Sequence, residues 1–388
     1  MQRRLAQVPL VIALAIGCQR ADPSAWLGAP KNIAPGVDFY QATDPTLVDP
    51  QGPIAVYLLR LDLDRVQLES GLSNDEVMMA ERVDGIAGRH HAIAAINAGF
   101  FNVKNGEPAG LLKVAGELVS DTGLTRGVVA INSEPGARQQ LHFDQASARM
   151  QAQFTANNKS FTVPIDGVDT TRERGKLMLY TPAYHADTDT APKGTEWVLT
   201  GKPLKVVAMR IDSGKTPIPR DGVVLSYGGL DLPANLDWLL PDVEVTLTTT
   251  WKILNGTPNA RFESARDIFN GAGLLMRDGA PMSGWQASEN LLPSTFTHVR
   301  HPRTIIGVDR RGDVWLAAID GRQPDHSVGM TFAELQNLCR RLDLQHALNL
   351  DGGGSTTMVI GSEIVNKPSD AAGPRPVSDA ILVKPLAK

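Results

Sequence analysis

The stretch that decides the fold is Ala347-Leu348-Asn349-Leu350-Asp351-Gly352-Gly353-Gly354-Ser355-Thr356-Thr357-Met358-Val359-Ile360. The apolar residues at its two ends predict two strands. Three successive glycines predict a tight turn between the strands, because glycine adopts backbone conformations that other residues avoid. The stretch therefore predicts a β-rich fold with polar residues gathered at a turn.

This turn has two interpretations. In the first, the amides of Gly352–Ser355 stay exposed and, together with Asp351 and Thr356, suit a bound anion. In the second, the segment is a glycine-rich hairpin turn with a structural role only. A phosphate-binding P-loop is excluded, because the lysine is missing and a strand follows where a P-loop needs a helix.

The segments before this turn also have clear patterns. Thr331 and Glu334 have the spacing of a capping box, which predicts the start of a helix. The helix would have one apolar face, formed by Phe332, Leu335, Leu338, Cys339 and Leu342. Two apolar runs, 305–309 and 314–319, predict a pair of strands joined by a short turn.

The first part of the chain also contains predicted strands. Residues 54–63 are apolar and partly alternating, and 92–96 form an uninterrupted apolar run typical of a strand buried on both faces. Asn97 follows that run directly, so we expect it in the candidate site. Residues 111–119 predict a hairpin, and residues 75–90 predict a weak helix.

A middle section, about 133–265, contains many short apolar segments separated by proline and glycine. The clearest predicted strands in it are 176–180, 206–211, 223–227 and 243–250. The section shows no long helical apolar stripe. We therefore predict an α+β fold of β-rich mixed sheets flanked by a few helices, in a single large domain spanning 51–388.

Composition and charge exclude several classes of protein. The 388 residues are 42% hydrophobic and 21% charged, which is typical of a globular chain. The net charge of −4 with no block of like charges gives no support to nucleic-acid binding. The two cysteines, Cys18 and Cys339, are too few for a disulfide framework, and Cys339 is expected in the core.

The N-terminal segment predicts export. Arg3 and Arg4 precede a short apolar run, and the ending Leu14-Ala15-Ile16-Gly17-Cys18 resembles a bacterial lipobox. We therefore expect a signal peptide at 1–17, lipidation of Cys18 and a tether at 18–50. The membrane contact would then be the lipid anchor only, on the outer-membrane side by analogy with Gram-negative lipoproteins. The alternative is an ordinary secretory signal cut slightly later.

Other polar residues are candidates for binding roles. Arg303 and Arg322 flank the predicted strand pair, where a guanidinium group can bind phosphate through two hydrogen bonds, although a surface ion pair is the common alternative. His298 and His301 lack a third ligand for zinc. Gly271-Ala272-Gly273 lacks the setting of a dinucleotide site. The sequence thus predicts no metal and no cofactor.

Taken in order along the chain, several motifs resemble the phosphodiester glycosidase family. They are Asn97-Ala98-Gly99-Phe100-Phe101, Gly271–Gly279, Pro302–Gly307, Asp320-Gly321-Arg322-Gln323-Pro324, the 330–342 helix and Leu348–Thr356. The segments Leu179–Pro182 and Ile218–Ser226 are similar to longer bacterial members. Two positions differ from the family: Asp379, where members often have asparagine, and His326, where tyrosine is common.

The resemblance implies hydrolysis of a sugar-1-phosphodiester at its glycosidic bond, with a carbohydrate-phosphate substrate. It implies that Asp351 or Asp320 activates water or stabilises the developing cation, and that Arg303 and Arg322 bind phosphate. The remaining predicted substrate contacts are Asn97, Gly352, Gly353, Gly354, Ser355 and Thr356. The alternatives are a non-catalytic surface lipoprotein that binds a glycopolymer and a metal-dependent phosphodiesterase that breaks the P–O bond. The sugar, the aglycone and the oligomeric state stay open.

Overall fold

The computed structural model describes residues 25–121, 123–134 and 136–386. The predicted signal peptide and Cys18 lie outside the described residues. Within these ranges no helix has both the length and the apolar character needed to span a membrane.

The strands of the described residues are numbered in chain order. They are β1 (Lys31–Ala34), β2 (Val37–Ala42), β3 (Val56–Leu61), β4 (Val66–Leu72), β5 (Ala94–Asn97), β6 (Leu112–Val114), β7 (Glu117–Ser120), β8 (Arg126–Asn132), β9 (Gln140–Ala156), β10 (Lys159–Pro164), β11 (Gly167–Val168), β12 (Leu177–Tyr180), β13 (Thr195–Thr200), β14 (Leu204–Ile211), β15 (Gly222–Tyr227), β16 (Glu244–Ile253), β17 (Asp267–Asn270), β18 (Leu274–Arg277), β19 (Ala280–Pro281), β20 (Arg303–Asp309), β21 (Val314–Ile319), β22 (Leu344–Asn349), β23 (Met358–Ile360), β24 (Glu363–Ile364) and β25 (Asp379–Pro385).

The helices are few and short. The α-helices are α1 (Val83–Arg89), α2 (Asn259–Glu263), α3 (Trp285–Glu289) and α4 (Phe332–Arg341). Single turns of 3₁₀ helix occur at Ala25–Leu27, Pro45–Leu47, Ser73–Asp75, Leu236–Trp238 and Gly353–Ser355, and a π-helical turn at Pro293–Thr297. The balance of strand over helix confirms the predicted β-rich α+β class.

The strands form three sheets. An eight-stranded sheet has the order β1-β2-β3-β21-β20-β22-β18-β19, and a five-stranded sheet has the order β24-β23-β5-β25-β4. The third sheet has twelve strands, in the order β11-β12-β15-β13-β14-β16-β9-β8-β17-β6-β7 with β10 paired to β9. The chain passes from one sheet to another after β17 and after β22, so the ends of these strands lie at sheet junctions.

Helix α4 covers one face of the eight-stranded sheet. Thr331 and Glu334 form the predicted capping box, in which each side chain accepts from the other residue's backbone N–H. Leu335, Leu338 and Cys339 are fully buried, as the apolar periodicity predicts. They pack in a core cluster with strand residues of β3, β20 and β21. The helix therefore buries the face of the sheet that contains β20 and β21, the two strands next to the candidate site.

The predicted helix at 75–90 is only partly correct. Helix α1 covers Val83–Arg89, whereas Ser73–Asp75 at the start of the predicted segment form a 3₁₀ turn. Asn74 and Asp75 have positive φ angles of 48° and 60°, which a continuous right-handed helix does not allow. The weak apolar periodicity therefore overestimated the length of the helix.

Candidate functional site

The candidate site lies where the three sheets meet, around the chain segment 98–100. Asp351, which follows β22 of the eight-stranded sheet, donates its backbone N–H to the Ala98 carbonyl at 2.9 Å. Asp379, the first residue of β25, accepts from the Gly99 amide through Oδ1 at 3.0 Å. Asn270, the last residue of β17, accepts from the Phe100 amide through Oδ1 at 3.1 Å. Three residues in a row thus contact all three sheets.

Asn97 holds the junction between two of these sheets. Its Nδ2 donates to the Asp351 carbonyl at 2.7 Å. Its Oδ1 accepts from Thr304 Oγ1 at 2.9 Å and from the Thr357 amide at 3.1 Å. The side chain is fully buried. Asn97 lies in the site as expected, but these contacts are structural, and its contact with substrate stays a prediction.

The glycine turn is built differently from the anion-binding loop that we expected. The Gly352 amide donates to Asp351 Oδ1 at 2.9 Å, and the Gly353 amide donates to the Pro302 carbonyl at 3.0 Å. The Ser355 and Thr356 amides donate back into the turn. Three of the four amides expected to be exposed, those of Gly352, Gly353 and Ser355, are therefore used within the protein, and anion binding by this turn stays a prediction. Ser355 and Thr356 are buried as well.

Asp351 has an unusual environment for a carboxyl group. The residue is only partly exposed, and burial raises its pKa from an ordinary value of 3.8 to about 6. The negative charge of nearby Asp379 also raises this pKa, whereas the positive charge of Arg375 lowers it. A carboxyl group with a pKa near 6 can exchange a proton close to neutral pH, which suits general acid–base chemistry.

Asp379 is a second buried carboxyl group in the site, and it was missed as a site residue. Its pKa is also raised to about 6, chiefly by burial. Ser378 Oγ and the Gly99 amide donate to Oδ1, while no described residue gives Oδ2 a hydrogen-bond partner. Asn270 Nδ2 is likewise buried without a partner in this part of the chain. The departure from the family at position 379 was the signal in the sequence.

Arg322 provides positive charge at the mouth of the glycine turn. It is exposed, and its guanidinium nitrogens lie 3.0 and 3.1 Å from where a Cβ on Gly353 would stand. Its Nη2 donates to His301 Nδ1 at 3.2 Å, while His301 Nε2 lies 3.1 Å from the Thr295 carbonyl. A carbonyl only accepts, so His301 is neutral with its proton on Nε2. No carboxylate in the described ranges pairs with Arg322.

Arg303 is placed near the site but faces the interior. Its side chain is buried, Nε donates to the Met330 carbonyl at 2.9 Å, and Nη2 donates to the Phe296 and Val299 carbonyls at 2.6 and 2.9 Å. The guanidinium carbon lies 4.9 Å from the ring centres of both Phe296 and Phe332. Burial lowers its pKa to about 9. Arg303 therefore supports the loop before β20, and its predicted contact with phosphate stays a prediction.

Asp320 is buried and its carboxylate is fully hydrogen-bonded. Asn366 Nδ2 donates to Oδ1 at 2.9 Å, His326 Nε2 lies 2.8 Å from Oδ2, and the Lys367 amide contacts both oxygens. The nearby carboxylate contributes to raising the Tyr57 pKa to about 12, although burial is the larger cause. Asp320 thus ties segment 366–367 to β21. Its proposed share in catalysis is untested, and the geometry favours Asp351.

An ion pair that the sequence did not indicate lies beside the turn. Arg375 Nη2 is 2.8 Å from Asp370 Oδ2. The Asp370 carboxylate lies where a Cβ on Gly354 would stand, so glycine is required for this close approach. Both side chains stay about one-third exposed. They lie beside Gly354, next to the glycine that Arg322 approaches, and no local sequence motif predicts them.

The described residues contain no group of three or more histidine, cysteine or acidic side chains arranged to hold a metal.

Gly271-Ala272-Gly273 is a sheet junction, where buried Glu289 accepts from the Gly273 and Leu274 amides at 2.7 and 3.2 Å. Cys339 is a buried core residue, as expected.

Comparisons with known proteins agree with the motifs. Residues 205–384 match the phosphodiester glycosidase family. The N-acetylglucosamine-1-phosphodiester alpha-N-acetylglucosaminidases of Mus musculus and Homo sapiens are each 28% identical over 172 residues, or 43% of this chain. The match spans only 30% of the length of each of these relatives.

A solved structure shows the same fold. A hypothetical protein from Synechocystis superposes with a TM-score of 0.74 and 24% identity, over 92% of this chain and 64% of that one.

The family match at 205–384 includes Asp351, Arg322 and Asp379. The resemblance predicted from the sequence is therefore confirmed: the C-terminal half of this chain is similar to the phosphodiester glycosidases.

Proposed function

We propose that this chain hydrolyses the glycosidic bond of a sugar-1-phosphodiester. The observation that supports this function best is that one glycine turn carries both a weakly acidic carboxyl group and an arginine for which no described residue supplies a carboxylate partner. Asp351 provides the carboxyl group and Arg322 the positive charge. The resemblance to phosphodiester glycosidases supports the same reaction class.

The two groups divide the chemistry between them. Arg322 binds the phosphate and stabilises the negative charge that it keeps as the bond breaks. Asp351, largely ionised above about pH 6, takes a proton from the attacking water or stabilises the cation that develops on the sugar. A phosphate monoester has its second pKa near 6, so it departs without full protonation. The site therefore needs little general-acid assistance.

The first substrate to test is the methyl diester of N-acetylglucosamine 1-phosphate, because the mouse and human relatives are named for that linkage. Hydrolysis in oxygen-18 water identifies the broken bond. Label in the sugar supports the proposed glycosidase. Label in the phosphate would instead identify a phosphodiesterase, and binding without turnover would identify a non-catalytic glycopolymer-binding protein.

Variants of the carboxyl group and of the two arginines test the assignment. We expect Asp351→Asn to lower kcat by about 10²–10⁴ with little change in KM. We expect Arg322→Lys to raise KM for the methyl diester roughly tenfold and to leave aryl glycosides unaffected, because the two-pronged phosphate contact is lost. Arg303→Lys is the matched comparison, and we expect its main effect to be a lower thermal stability. Near wild-type turnover by folded Asp351→Asn would refute the assignment.

We also propose that the protein is an exported lipoprotein of the cell envelope that acts on an envelope or extracellular glycopolymer. The support is the lipobox-like sequence that ends at Cys18. Such a protein should partition into the detergent phase, and Cys18→Ser should move it to the aqueous phase or leave it unprocessed. Identical aqueous behaviour of both forms would exclude the lipid anchor.

A further inference from the structure

A cleft of about 920 Å³ lies in the middle section, apart from all the predicted site residues. Its volume is that of a small-molecule binding site. Residues of five separate stretches of the chain line it, among them Glu107, Arg172, Tyr180, Tyr184 and Lys193. The cleft is therefore large enough for a sugar-sized group.

The floor of the cleft rests on a network of hydrogen-bonded side chains, of which Arg172, Thr188 and Thr190 line the cleft itself. Arg172 Nη1 lies 3.2 Å from Glu196 Oε1, and four threonine and serine hydroxyls also donate to that buried carboxylate. Glu107 accepts from two threonine hydroxyls at 2.9 and 3.0 Å. The rings of Tyr180 and Tyr184 are in contact, with centres 4.7 Å apart. These internal bonds hold the floor in shape before any ligand arrives.

The rim of the cleft keeps two available positive charges. Arg174 and Lys193 are exposed, and no carboxylate within the described ranges pairs with either side chain. Two of the rim's acidic groups lie beside lysine side chains, and a third accepts a hydrogen bond from a backbone amide. Glu173 lies 2.7 Å from Lys176, Asp189 lies 3.7 Å from Lys215, and Asp212 accepts from the Lys193 amide at 3.0 Å. The fourth, Asp231, is the acidic rim group without a partner in the described chain.

A hairpin-like loop connects this cleft to the candidate site. At its base, a Cβ on Gly99 or Gly110 would contact Asn270 at 2.6 or 2.8 Å, so both ends of the loop pack against a site residue. Farther out, Asn105 and Glu107 line the cleft. A loop with arms of about five residues reaches on the order of 15 Å. The cleft therefore starts within reach of a chain bound at Asp351.

A second series of hydrogen bonds also links the candidate site to the cleft. The Ser73 amide donates to the Ser378 carbonyl at 2.8 Å, next to Asp379. Ser73 Oγ donates to the Met79 carbonyl at 3.0 Å, and Met78 lines the cleft. Two independent segments thus fix the cleft relative to the site.

We infer that this cleft binds the part of a sugar-phosphate chain that extends beyond the cleaved linkage. The hydroxyl-rich walls and tyrosines suit a sugar, and the cations of Arg174 and Lys193 suit the next phosphate. The identity of this ligand rests on the proposed function, whereas the existence of the cleft does not. A protein with such a cleft has a lower KM for a polymeric substrate than for a small diester.

The experiment compares short and long substrates in matched charge-reversal variants. The test variant is Arg174→Glu with Lys193→Glu. The control variant is Lys159→Glu with Lys205→Glu, two exposed lysines outside the cleft that give the same change in net charge. The substrates are the methyl diester above and a phosphodiester-linked trimer of the same sugar.

We expect the test variant to raise KM for the trimer at least tenfold and to change kcat and KM for the methyl diester less than twofold. We expect the control to change neither. A trimer-to-diester preference that is the same in all three proteins would overturn the inference while leaving the proposed function intact.

Direct binding covers the case in which the parent cleaves neither substrate and the proposed function fails. Calorimetric titration of the trimer into Asp351→Asn should then give binding that the added charge reversal weakens at least tenfold. Absence of trimer binding, or binding that the charge reversal leaves unchanged, would overturn the inference.

Discussion

At the scale of single residues, the site is defined by two carboxyl groups on either side of one chain segment. Asp351 donates its amide to the Ala98 carbonyl, and the Ala98 amide donates to the Asp379 carbonyl at 3.2 Å. Both residues are therefore held at Ala98 by backbone hydrogen bonds. Burial raises both pKa values to about 6. The two carboxyl groups therefore ionise in the same pH range.

The pKa of Asp379 predicts a pH-dependent stability. Because this pKa is raised, the folded protein holds the proton more tightly than the unfolded chain between about pH 4 and 6. The free energy of unfolding therefore falls as pH rises through that window and stays lower above it. Asp379→Asn keeps the acceptor at Oδ1 and removes this loss. We expect it to be more stable than the parent by up to about 2–3 kcal/mol at pH 8, and nearly equal at pH 4.

Urea unfolding at the two pH values measures this effect, with the exposed Asp237→Asn as the control. A destabilisation of Asp379→Asn that is equal at pH 4 and pH 8 would show that the carboxyl group is needed for packing and that its ionisation does not limit stability.

At the scale of the structural elements, the junction between sheets depends on Asn97. Replacing it by alanine removes the buried partner of the Thr357 amide and the Asp351 carbonyl, and leaves the Thr304 hydroxyl only its contact with Thr356 Oγ1 at 3.3 Å. We expect Asn97→Ala to lower the free energy of unfolding by about 3–5 kcal/mol. Chemical denaturation measures it, with exposed Asn32→Ala as the control. A residue that only contacted substrate would instead raise KM and leave stability unchanged.

Local sequence patterns predicted elements well where the signal lay within one segment. The capping box of Thr331 and Glu334, the strand that ends at Asn97 and the turn at Gly352–Gly354 are all present in the structure. The contacts that make the site are different in kind. Asn97 bonds to Asp351, which is 254 positions away in the sequence, and Gly99 bonds to Asp379, which is 280 positions away. No periodicity reports such pairings, so the tie at Asn97 and the second carboxyl group were not predictable from local pattern.

The two arginines show the same limit. Both Arg303 and Arg322 flank predicted strands, and as arginines they are equally good candidates for binding phosphate. The structure separates them, because three backbone carbonyls surround Arg303 whereas Arg322 reaches the surface beside Gly353. Which way a side chain points at a strand end depends on the neighbouring loops, and those loops have no regular pattern.

At the scale of the whole molecule, the middle section is continuous with the rest through β9. The first part of this strand pairs with β8, and the residues from Ala146 onward pair with β16. Ala146 takes part in both pairings. A break between the middle section and the remainder would therefore disrupt a single strand in its interior. This arrangement keeps the cleft at a fixed position relative to the site.

This continuity predicts that the two parts unfold together. Opening the middle section alone would expose the β8-facing half of β9 and the core around it, so a separate transition is disfavoured. We expect one calorimetric transition, with the calorimetric and van't Hoff enthalpies agreeing. Hydrogen exchange in increasing urea should give the same midpoint for peptides from β13 in the middle section and from β21 in the eight-stranded sheet. A lower midpoint for β13 alone would show that the middle section is a separate folding unit, and the cleft could then move relative to Asp351.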